Sequence, residues 1–201
     1  MPDSLKTLKS GLDLAEIIKT AKSQQAGDGV RPVDKWNPPY CGEMDMIIKA
    51  DGSWWHEGTR ITRQPLIQLF ASILRKDDDG RTYLVTPVEK IGIQIERAHF
   101  IAIRVDKKGK GDDQLLYFTT DMGDVVEAGP DNPIRVETDP DTLEPDPYIT
   151  IRGRLEAAMT RPVFYELVDY AEEIDTPAGR QLGVLSQGTF FPLGPAGAHD
   201  V

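Results

Sequence analysis

The sequence contains little cysteine and no long apolar run. Cys41 is the single cysteine in 201 residues, which excludes an internal disulfide framework and fits a reducing compartment. No stretch approaches the roughly 20 consecutive apolar residues that span a bilayer, and the charged start of the chain differs from a signal peptide. The sequence therefore predicts a soluble, cytoplasmic protein with no membrane partner.

Motifs of catalysis and metal binding are also missing. The three histidines, His56, His99 and His199, share no ligand spacing, and the segment GVLSQG around Ser186 differs from the nucleophile elbow by one residue. Lys107–Asp113 lacks the spacing of a phosphate-binding loop and is interpreted as a hairpin turn. We therefore expect no catalytic residue, no metal site and no cofactor.

Basic patches are absent from the most charged part of the chain. Residues 112–146 carry eleven acidic residues and one base, Arg135, so this segment alone accounts for a net charge of -10. Nucleic-acid binding over such a surface is excluded, because it needs basic side chains that replace counterions. The composition predicts solvated loops; an acidic docking surface and a calcium site are the alternatives.

The pattern that organises the chain is a strand, a tight turn, a second strand and a helix. It occupies residues 44–76, with Asp51-Gly52 as the hairpin turn, and a degenerate copy follows at residues 148–171. In the first copy Thr62 is the predicted N-cap, and the helix is expected to continue until Asp77–Gly80 ends it. The apolar stripes of the two helices comprise Leu66, Leu69, Phe70, Ile73 and Leu74 in one and Phe164, Leu167, Val168 and Ala171 in the other.

Short strand-like segments fill most of the remaining chain. Apolar residues alternate with polar ones at Ile91–Ile95 and Ile101–Val105, and a last hairpin is predicted at Leu182–Phe191. Before them, residues 5–21 are predicted to form one amphipathic helix or two short ones broken at Ser10-Gly11. The clearer apolar stripe comprises Leu14, Ile17, Ile18 and Ala21. The predicted fold class is α+β, with duplicated strand-turn-strand-helix units and antiparallel sheets.

Cationic side chains coincide with the predicted helix starts. Arg63 follows Thr62 and Arg161 follows Thr160, where free backbone N–H groups, the helix dipole and a guanidinium would together attract an anion. The alternative is that each arginine pairs with a nearby acid. Glu89 and Lys90 stand side by side between two strands, and Trp54 offers a flat apolar surface near the first hairpin.

Four segments in order resemble the signature of a bacterial family, the domain of unknown function (DUF) number 1285. They are MDMIIKADGSWWHEGTRITRQPLIQLFASILR, YLVTPVEKIGIQIE, PYITIRGRLEAAMTRPVFYELVDYA and GVLSQGTFFPLG. The resemblance covers about residues 40–194. It implies a duplicated structure with a C-terminal part similar to pleckstrin-homology-like folds, a role in signal transduction, and a nucleotide-like ligand at the interface of the two parts.

The expected organisation has four parts. They are an N-terminal helical extension and linker at 1–30, a first repeat domain at 31–86, a pleckstrin-homology-like repeat domain at 87–194, and a disordered tail at 195–201.

Three functions fit these features. The first hypothesis is a non-catalytic sensor module that binds a nucleotide-like anionic small molecule between its repeats. Arg63 and Lys90, with Glu89 beside them, would form the anion site, Arg152 or Arg161 would assist, and Trp54 would pack on a ring. The second is an adaptor that binds a signalling protein partner through the acidic segment or the N-terminal helix. The third is an enzyme with Glu89 as general base beside Lys90.

Overall fold

The structure is a computed structural model that describes residues 14–23, 31–177 and 179–196. The chain divides into two compact units. The N-terminal unit comprises Met1–Ile47 and Trp54–Gln94, and the C-terminal unit comprises Ile48–Ser53 and Ile95–Val201. Strands dominate both units, and the mixed α+β class predicted from the sequence is confirmed. No helix within the described ranges combines the length and the apolar character needed to cross a membrane.

The N-terminal unit is built on a six-stranded sheet with the order β3-β2-β1-β6-β5-β4. Along β1 the side chains of Met44, Met46 and Ile48 are buried, whereas Glu43 and Asp45 on the other face are exposed, as the two-residue period of a strand requires. The strands are β1 Tyr40–Ile48, β2 Trp54–His56, β3 Thr59–Arg60, β4 Leu74–Lys76, β5 Thr82–Val85 and β6 Lys90–Ile95.

Helix α2, Gln64–Ala71, is shorter than the sequence predicted. Arg63 occupies the N-cap in place of Thr62, and Pro65 lies in the first turn, where its missing N–H costs nothing. The predicted stripe is right in part: Phe70 is buried as expected, but the other buried positions of the helix are Ile67 and Ala71, and Leu66 and Leu69 are only half-buried. Ile73 and Leu74 are buried as expected, but Leu74 begins β4 instead of continuing the helix.

Helix α1, Leu14–Ser23, belongs to the N-terminal unit. Ile17 and Ala21, one turn apart on its predicted apolar stripe, are fully buried, with Leu14 and Ile18 half-buried beside them. The predicted helical residues before Leu14 and most of the predicted linker lie outside the described residues.

A second tight turn follows the first hairpin in the N-terminal unit. Glu57 and Gly58 both adopt positive φ, 48° and 71°, which is the backbone of a two-residue hairpin turn. This turn folds β3 back on β2, with Trp55 opposite Arg60. In the C-terminal unit, the strands Pro145–Arg152 and Leu155–Met159 precede a helix without such a turn.

The C-terminal unit contains a second six-stranded sheet, in the order β10-β11-β12-β7-β8-β9. Its pairs are antiparallel except that β12 runs parallel to β7, with Ala157 opposite Phe100. The strands are β7 Phe100–Lys108, β8 Leu115–Thr120, β9 Val125–Glu127, β10 Ile134–Thr138, β11 Pro145–Arg152 and β12 Leu155–Met159. The core includes Phe100, Phe118 and Leu116.

Helix α3, Arg161–Asp169, follows β12 directly. Thr160 is its N-cap with an extended backbone, Pro162 lies in the first turn, and the Phe164 N–H donates to the Thr160 carbonyl oxygen at 3.0 Å. Val163 and Leu167, four residues apart, are its buried positions. The predicted stripe is again right in part, since Leu167 is buried as expected whereas Phe164 and Val168 are only half-buried.

A three-stranded antiparallel sheet completes the C-terminal unit. Its order is β13-β14-β15, with β13 Glu172–Thr176, β14 Gly179–Ser186 and β15 Thr189–Pro195. The last two form the predicted hairpin, turning at Gln187-Gly188. Ser186 is fully buried: its hydroxyl donates to the Ala128 carbonyl oxygen at 2.7 Å and accepts from the Leu116 N–H at 3.0 Å. Ser186 therefore joins this hairpin to the larger sheet.

Candidate functional site

A groove of about 670 Å³ lies in the C-terminal unit. One wall is the connection between β10 and β11, and the other is the start of α3. The lining comprises Arg97, Glu137, Thr138, Asp139, Pro140, Thr142, Glu144, Pro145, Asp146, Pro147, Met159, Thr160, Arg161, Phe164 and Tyr165. Its size falls within the range of small-ligand sites.

The first wall is a preformed loop organised by Asp139. The carboxylate Oδ1 accepts hydrogen bonds from the Asp141 N–H at 2.9 Å and the Thr142 N–H at 2.8 Å. The Asp139 N–H also donates to the Glu144 carbonyl oxygen at 2.9 Å, which closes the loop. The two backbone donors lower the pKa of Asp139, so this side chain stays ionised and the loop stays ordered at neutral pH.

Tyr148 anchors one end of the groove. Its hydroxyl donates to Asp146, and its ring lies between two guanidinium groups, with Arg97 at 5.7 Å and Arg135 at 4.2 Å from the ring centroid. Arg97 also binds Asp146 through Nε at 3.0 Å. Burial and the hydrogen bond to Asp146 raise the pKa of Tyr148 to about 12, so the phenol stays protonated and holds Asp146 in place.

The helical wall presents a cation and aromatic rings. Arg161 is the first residue of α3, and its Nη2 lies 3.3 Å from the Glu144 carboxylate. Both side chains are largely exposed, at 78% and 67%, so this ion pair is weak and open to exchange with a ligand. Phe164 and Tyr165 follow one turn later on the same helix and supply apolar surface.

The charges of the lining do not cancel. Glu137, Asp139, Glu144 and Asp146 contribute four negative charges, and Arg97 and Arg161 contribute two positive charges, which leaves -2. A concave surface of one charge raises the local concentration of the opposite ion. The groove therefore attracts cationic groups more than anions.

Two of the residues singled out from the sequence lie apart from this groove, in the N-terminal unit, around α2. Arg63 is exposed at the N-cap, whereas Trp54 is 1% exposed and stacks on Phe70 at a centroid distance of 6.1 Å. Its indole Nε1 is buried without a hydrogen-bond partner. Trp54 is thus a core residue of the N-terminal unit, and its ring already packs on a protein ring.

Glu89 and Lys90 are adjacent in sequence, but their side chains have different surroundings. The Lys90 ammonium binds Asp77 at 2.8 Å and lies 4.4 Å from the centroid of the Tyr83 ring. Glu89 Oε1 is buried without a hydrogen-bond partner. Burial, and secondarily the negative charge of Glu16, raise the pKa of Glu89.

Asp77 connects Lys90 to the rest of the N-terminal unit. Arg75 Nε donates to its carboxylate at 2.6 Å, and the same guanidinium donates to the carbonyl oxygens of Val33 and Trp36. Burial alone would raise the pKa of Asp77, but hydrogen bonds from Arg75 and Lys90 outweigh it and lower the pKa. Lys90 is therefore a structural cation here.

A second charged cluster covers the outer face of the same sheet. Arg81 pairs with Glu43 and lies 5.7 Å and 5.6 Å from the ring centroids of Tyr40 and Tyr83. The Glu43 carboxylate occupies the space above Gly92, where an added Cβ would come within 2.3 Å of its Oε1. These two charges neutralise one another.

Arg152, at the end of β11, is engaged inside the C-terminal unit. Its Nη1 binds the Asp124 carboxylate at 3.1 Å, and its guanidinium lies 4.9 Å from the centroid of the Phe100 ring. Of the six residues named from the sequence, only Arg161 lines the groove. Within the described residues no group of three or more histidine, cysteine, aspartate or glutamate side chains could hold a metal ion.

The groove residues that the sequence did not reveal come from distant positions. Arg97 and Asp146 lie 49 residues apart, and their pairing depends on the arrangement of β10, β11 and the segment before β7. The acidic segment was a visible signal, but its composition alone could not show that its loop forms a wall. Tyr165 carried no signal, because an exposed aromatic residue and a buried one look alike in sequence.

Comparison with known families gives matches over most of the chain. Residues 31–98 match the model described as the DUF1285 N-terminal domain, a domain of unknown function. Residues 99–193 match the model described as the DUF1285 C-terminal domain of a protein of unknown function. No curated protein matches the sequence.

Two crystal structures are similar to this chain. A DUF1285 family protein from Silicibacter pomeroyi DSS-3 is 44% identical, with a TM-score of 0.81 over 90% of this chain and 95% of that one. A DUF1285 family protein from Shewanella baltica OS155 is 27% identical, with a TM-score of 0.50 over 63% of this chain and 91% of that one.

Proposed function

Because the chain belongs to the DUF1285 family, whose function is unknown, we propose from its own geometry that it is a non-catalytic binding module. The groove of the C-terminal unit takes a ligand that carries a positively charged group, such as a guanidinium or an ammonium. The observation that carries this proposal is the lining of four carboxylates and two arginines around a preformed cavity of about 670 Å³.

Binding without catalysis fits the state of these carboxylates. General acid–base catalysis works best with a pKa near the operating pH. Asp139 instead has a lowered pKa, and Asp146 accepts from Arg97 and Tyr148. Such groups offer fixed negative charge to a ligand instead of transferring protons.

A nucleotide-like anion is the second candidate ligand. Arg161 lies in the first turn of α3 beside Thr160, and Tyr165 stands one turn away, so a phosphate and a base could lie on neighbouring positions of one helix. This alternative requires the ligand to displace Glu144 from Arg161. Whichever ligand binds, we propose a role in bacterial signal transduction in the cytoplasm. The free thiol of Cys41 fits such a reducing compartment.

Duplication and a pleckstrin-homology-like C-terminal part belong to the same proposal. Both units lead from paired strands into a helix with an arginine at its start and a proline in its first turn, α2 after Arg63 and α3 from Arg161. In the C-terminal unit the helix follows two three-stranded meanders. These parallels support a common origin of the two units.

The test is a thermal-shift titration with ligands of opposite charge. Arginine amide and spermidine represent cations, and ATP and cyclic dinucleotides represent nucleotide-like anions. A ligand present at about 100 times its dissociation constant should add about 2.7 kcal/mol, or roughly 5–10 °C for a chain of this size. We expect the cations to stabilise the wild type and the anions to have little effect.

Paired variants separate the two ligand classes. Glu137→Gln/Glu144→Gln should weaken cation binding about tenfold, whereas Arg161→Gln should preserve or improve it. A nucleotide-like ligand would show the reverse order. Arg63→Ala is the control, because its side chain is exposed in the N-terminal unit. If cations bound the double variant as tightly as the wild type, the groove would not be their site.

A further inference from the structure

Leu143 is an exposed leucine held in an unfavourable backbone conformation. It lies in the loop between β10 and β11, its side chain is 73% exposed, and its φ is 59°. A left-handed backbone is costly for a residue with a Cβ, and exposure forgoes the stabilisation that burial of a leucine would give. Neither feature stabilises the fold, and both are typical of a residue that serves recognition.

The loop holds Leu143 in a defined position. The Leu143 N–H donates to the Asp139 carbonyl oxygen at 2.9 Å, within the loop that Asp139 closes through its carboxylate and its own N–H. Pro140 and Pro145 flank the same segment and restrict its backbone. A partner would therefore meet a loop whose backbone is already held in place, so that little backbone entropy is lost on binding.

A second exposed apolar side chain stands nearby. Tyr165 of α3 is 64% exposed and lines the groove. Glu144, next to Leu143 in sequence, binds Arg161, which lies one helical turn before Tyr165. Leu143 is therefore the sequence neighbour of one partner of an exposed ion pair, and Tyr165 lies one helical turn from the other partner.

The surroundings of this pair are acidic. Asp139, Asp141 and Glu144 lie in the loop of Leu143, and Glu137 precedes them at the end of β10. On α3, Glu166 and Asp169 follow Tyr165. A complementary surface must combine basic residues with apolar ones.

We propose that Leu143 and Tyr165 dock a basic amphipathic segment of a partner protein. Its aliphatic side chains cover the leucine and the tyrosine, and its lysines or arginines reach Glu137, Glu144 and the groove between them. This inference rests on the proposed function, because it assigns the positively charged group in the groove to a protein side chain.

The experiment measures binding of a synthetic amphipathic leucine–lysine helix by fluorescence anisotropy. A peptide in which glutamate replaces lysine is the charge control. Leu143→Gly removes the apolar side chain and suits a φ of 59°, so the loop keeps its backbone. Tyr165→Ser removes the second contact, and Val125→Ser, at a residue 63% exposed on β9, is the matched control.

We expect Leu143→Gly and Tyr165→Ser each to weaken binding of the leucine–lysine peptide about tenfold, with Val125→Ser unchanged. Equal affinity for wild type and both variants would overturn the docking surface. A dimer of the wild-type protein that dissociates in Leu143→Gly would assign the surface to a second copy and would also overturn it.

Arginine amide distinguishes this inference from the proposed function. It should bind wild type and Leu143→Gly equally, because the leucine does not line the groove. If arginine amide binds as proposed and the peptide binds both variants as tightly as the wild type, the docking inference fails and the groove proposal stands. If arginine amide fails to bind the wild type, the groove proposal itself fails.

Discussion

The two units differ in the burial of the aromatic and cationic residues that were candidates for a site. In the N-terminal unit, Trp54 is buried against Phe70, and Lys90 is held between Asp77 and the ring of Tyr83. In the C-terminal unit, Tyr165 is 64% exposed and Arg161 shares an exposed ion pair with Glu144. Aromatic and cationic residues therefore stabilise one unit and form an open groove in the other.

The difference lies in how charge is balanced. On the outer face of the N-terminal sheet, Arg81 meets Glu43, and Lys90 and Arg75 share Asp77. The groove of the C-terminal unit retains an excess of two carboxylates. Cations that are each bound by a carboxylate belong to a structural network, whereas we propose that the residual charge beside the cavity receives a ligand.

The test with the largest expected effect on stability removes one aromatic residue from each unit. Trp54→Ala should lower the free energy of unfolding of the N-terminal unit by about 3–5 kcal/mol, because a fully buried indole leaves a cavity. Tyr165→Ala should change stability by less than about 0.5 kcal/mol. Urea unfolding followed by circular dichroism measures both. Similar losses for the two variants would remove the distinction between core and groove aromatics.

The second test removes one cation from each unit. Lys90→Ala should cost about 1–2 kcal/mol, since it breaks a half-buried ion pair and a contact with the Tyr83 ring. Arg161→Ala should cost less than about 0.5 kcal/mol, because its ion pair is exposed. The same urea titrations compare them. A larger loss for Arg161→Ala would show that the groove arginine is structural.

A third test asks whether the groove loop sacrifices stability for recognition. Leu143→Gly should raise the free energy of unfolding by up to about 1 kcal/mol, because glycine adopts a positive φ without steric cost. Glu57→Gly is the control for backbone strain, because Glu57 also has a positive φ, 48°, in a hairpin turn of the N-terminal unit. Thermal unfolding measures both. A destabilised Leu143→Gly protein would mean that Leu143 packs within the loop.

The smallest effect concerns pH. The folded-state pKa of Glu89 is raised, so the unfolded chain releases this proton first and stability falls as pH rises from about 4 through the folded pKa. Glu89→Gln should therefore gain up to about 1 kcal/mol at pH 8 and little at pH 4. Unfolding of both proteins at the two pH values measures the difference. A gain that did not depend on pH would exclude Glu89 titration as its source.

Glu96 of the C-terminal unit provides the opposite trend. The Ala50 N–H and the Lys49 ammonium hold its carboxylate and lower its pKa. It contributes stability that is present above the unfolded pKa and is lost as pH falls through the folded pKa. Glu96→Gln should therefore lose stability at neutral pH, and the loss should shrink in acid.

Local sequence signals predicted the elements better than their ends. The alternating pattern at Ile91–Ile95 and the hairpin at Leu182–Phe191 correspond to β6 and to β14 with β15. Both helix stripes were predicted only in part: Phe70 and Leu167 are buried as expected, but apolar residues on either side of the true face blur the 3.6-residue period. The sequence did not predict β4, because Leu74 continues an apolar pattern that is equally typical of a helix.

The candidate groove depended on information that local patterns lack. Arg161 was found because helix starts have a sequence signature. Arg97 and Asp146 meet only through the strand arrangement, and the exposure of Leu143 and Tyr165 is a property of the folded surface. Trp54 was taken as a ligand contact because composition does not distinguish a core aromatic residue from one at a site.

Gly92 has no side chain, and the Glu43 carboxylate occupies the space that one would fill. Positions 43 and 92 therefore depend on each other although they are 49 residues apart. Any larger residue there would place its Cβ within 2.3 Å of Glu43 Oε1 and would displace the partner of Arg81. Substitutions at Gly92 and Glu43 should therefore be tolerated together more readily than singly, in engineered variants as well as in natural sequences. Among relatives of this chain, we expect positions 43 and 92 to change as a pair.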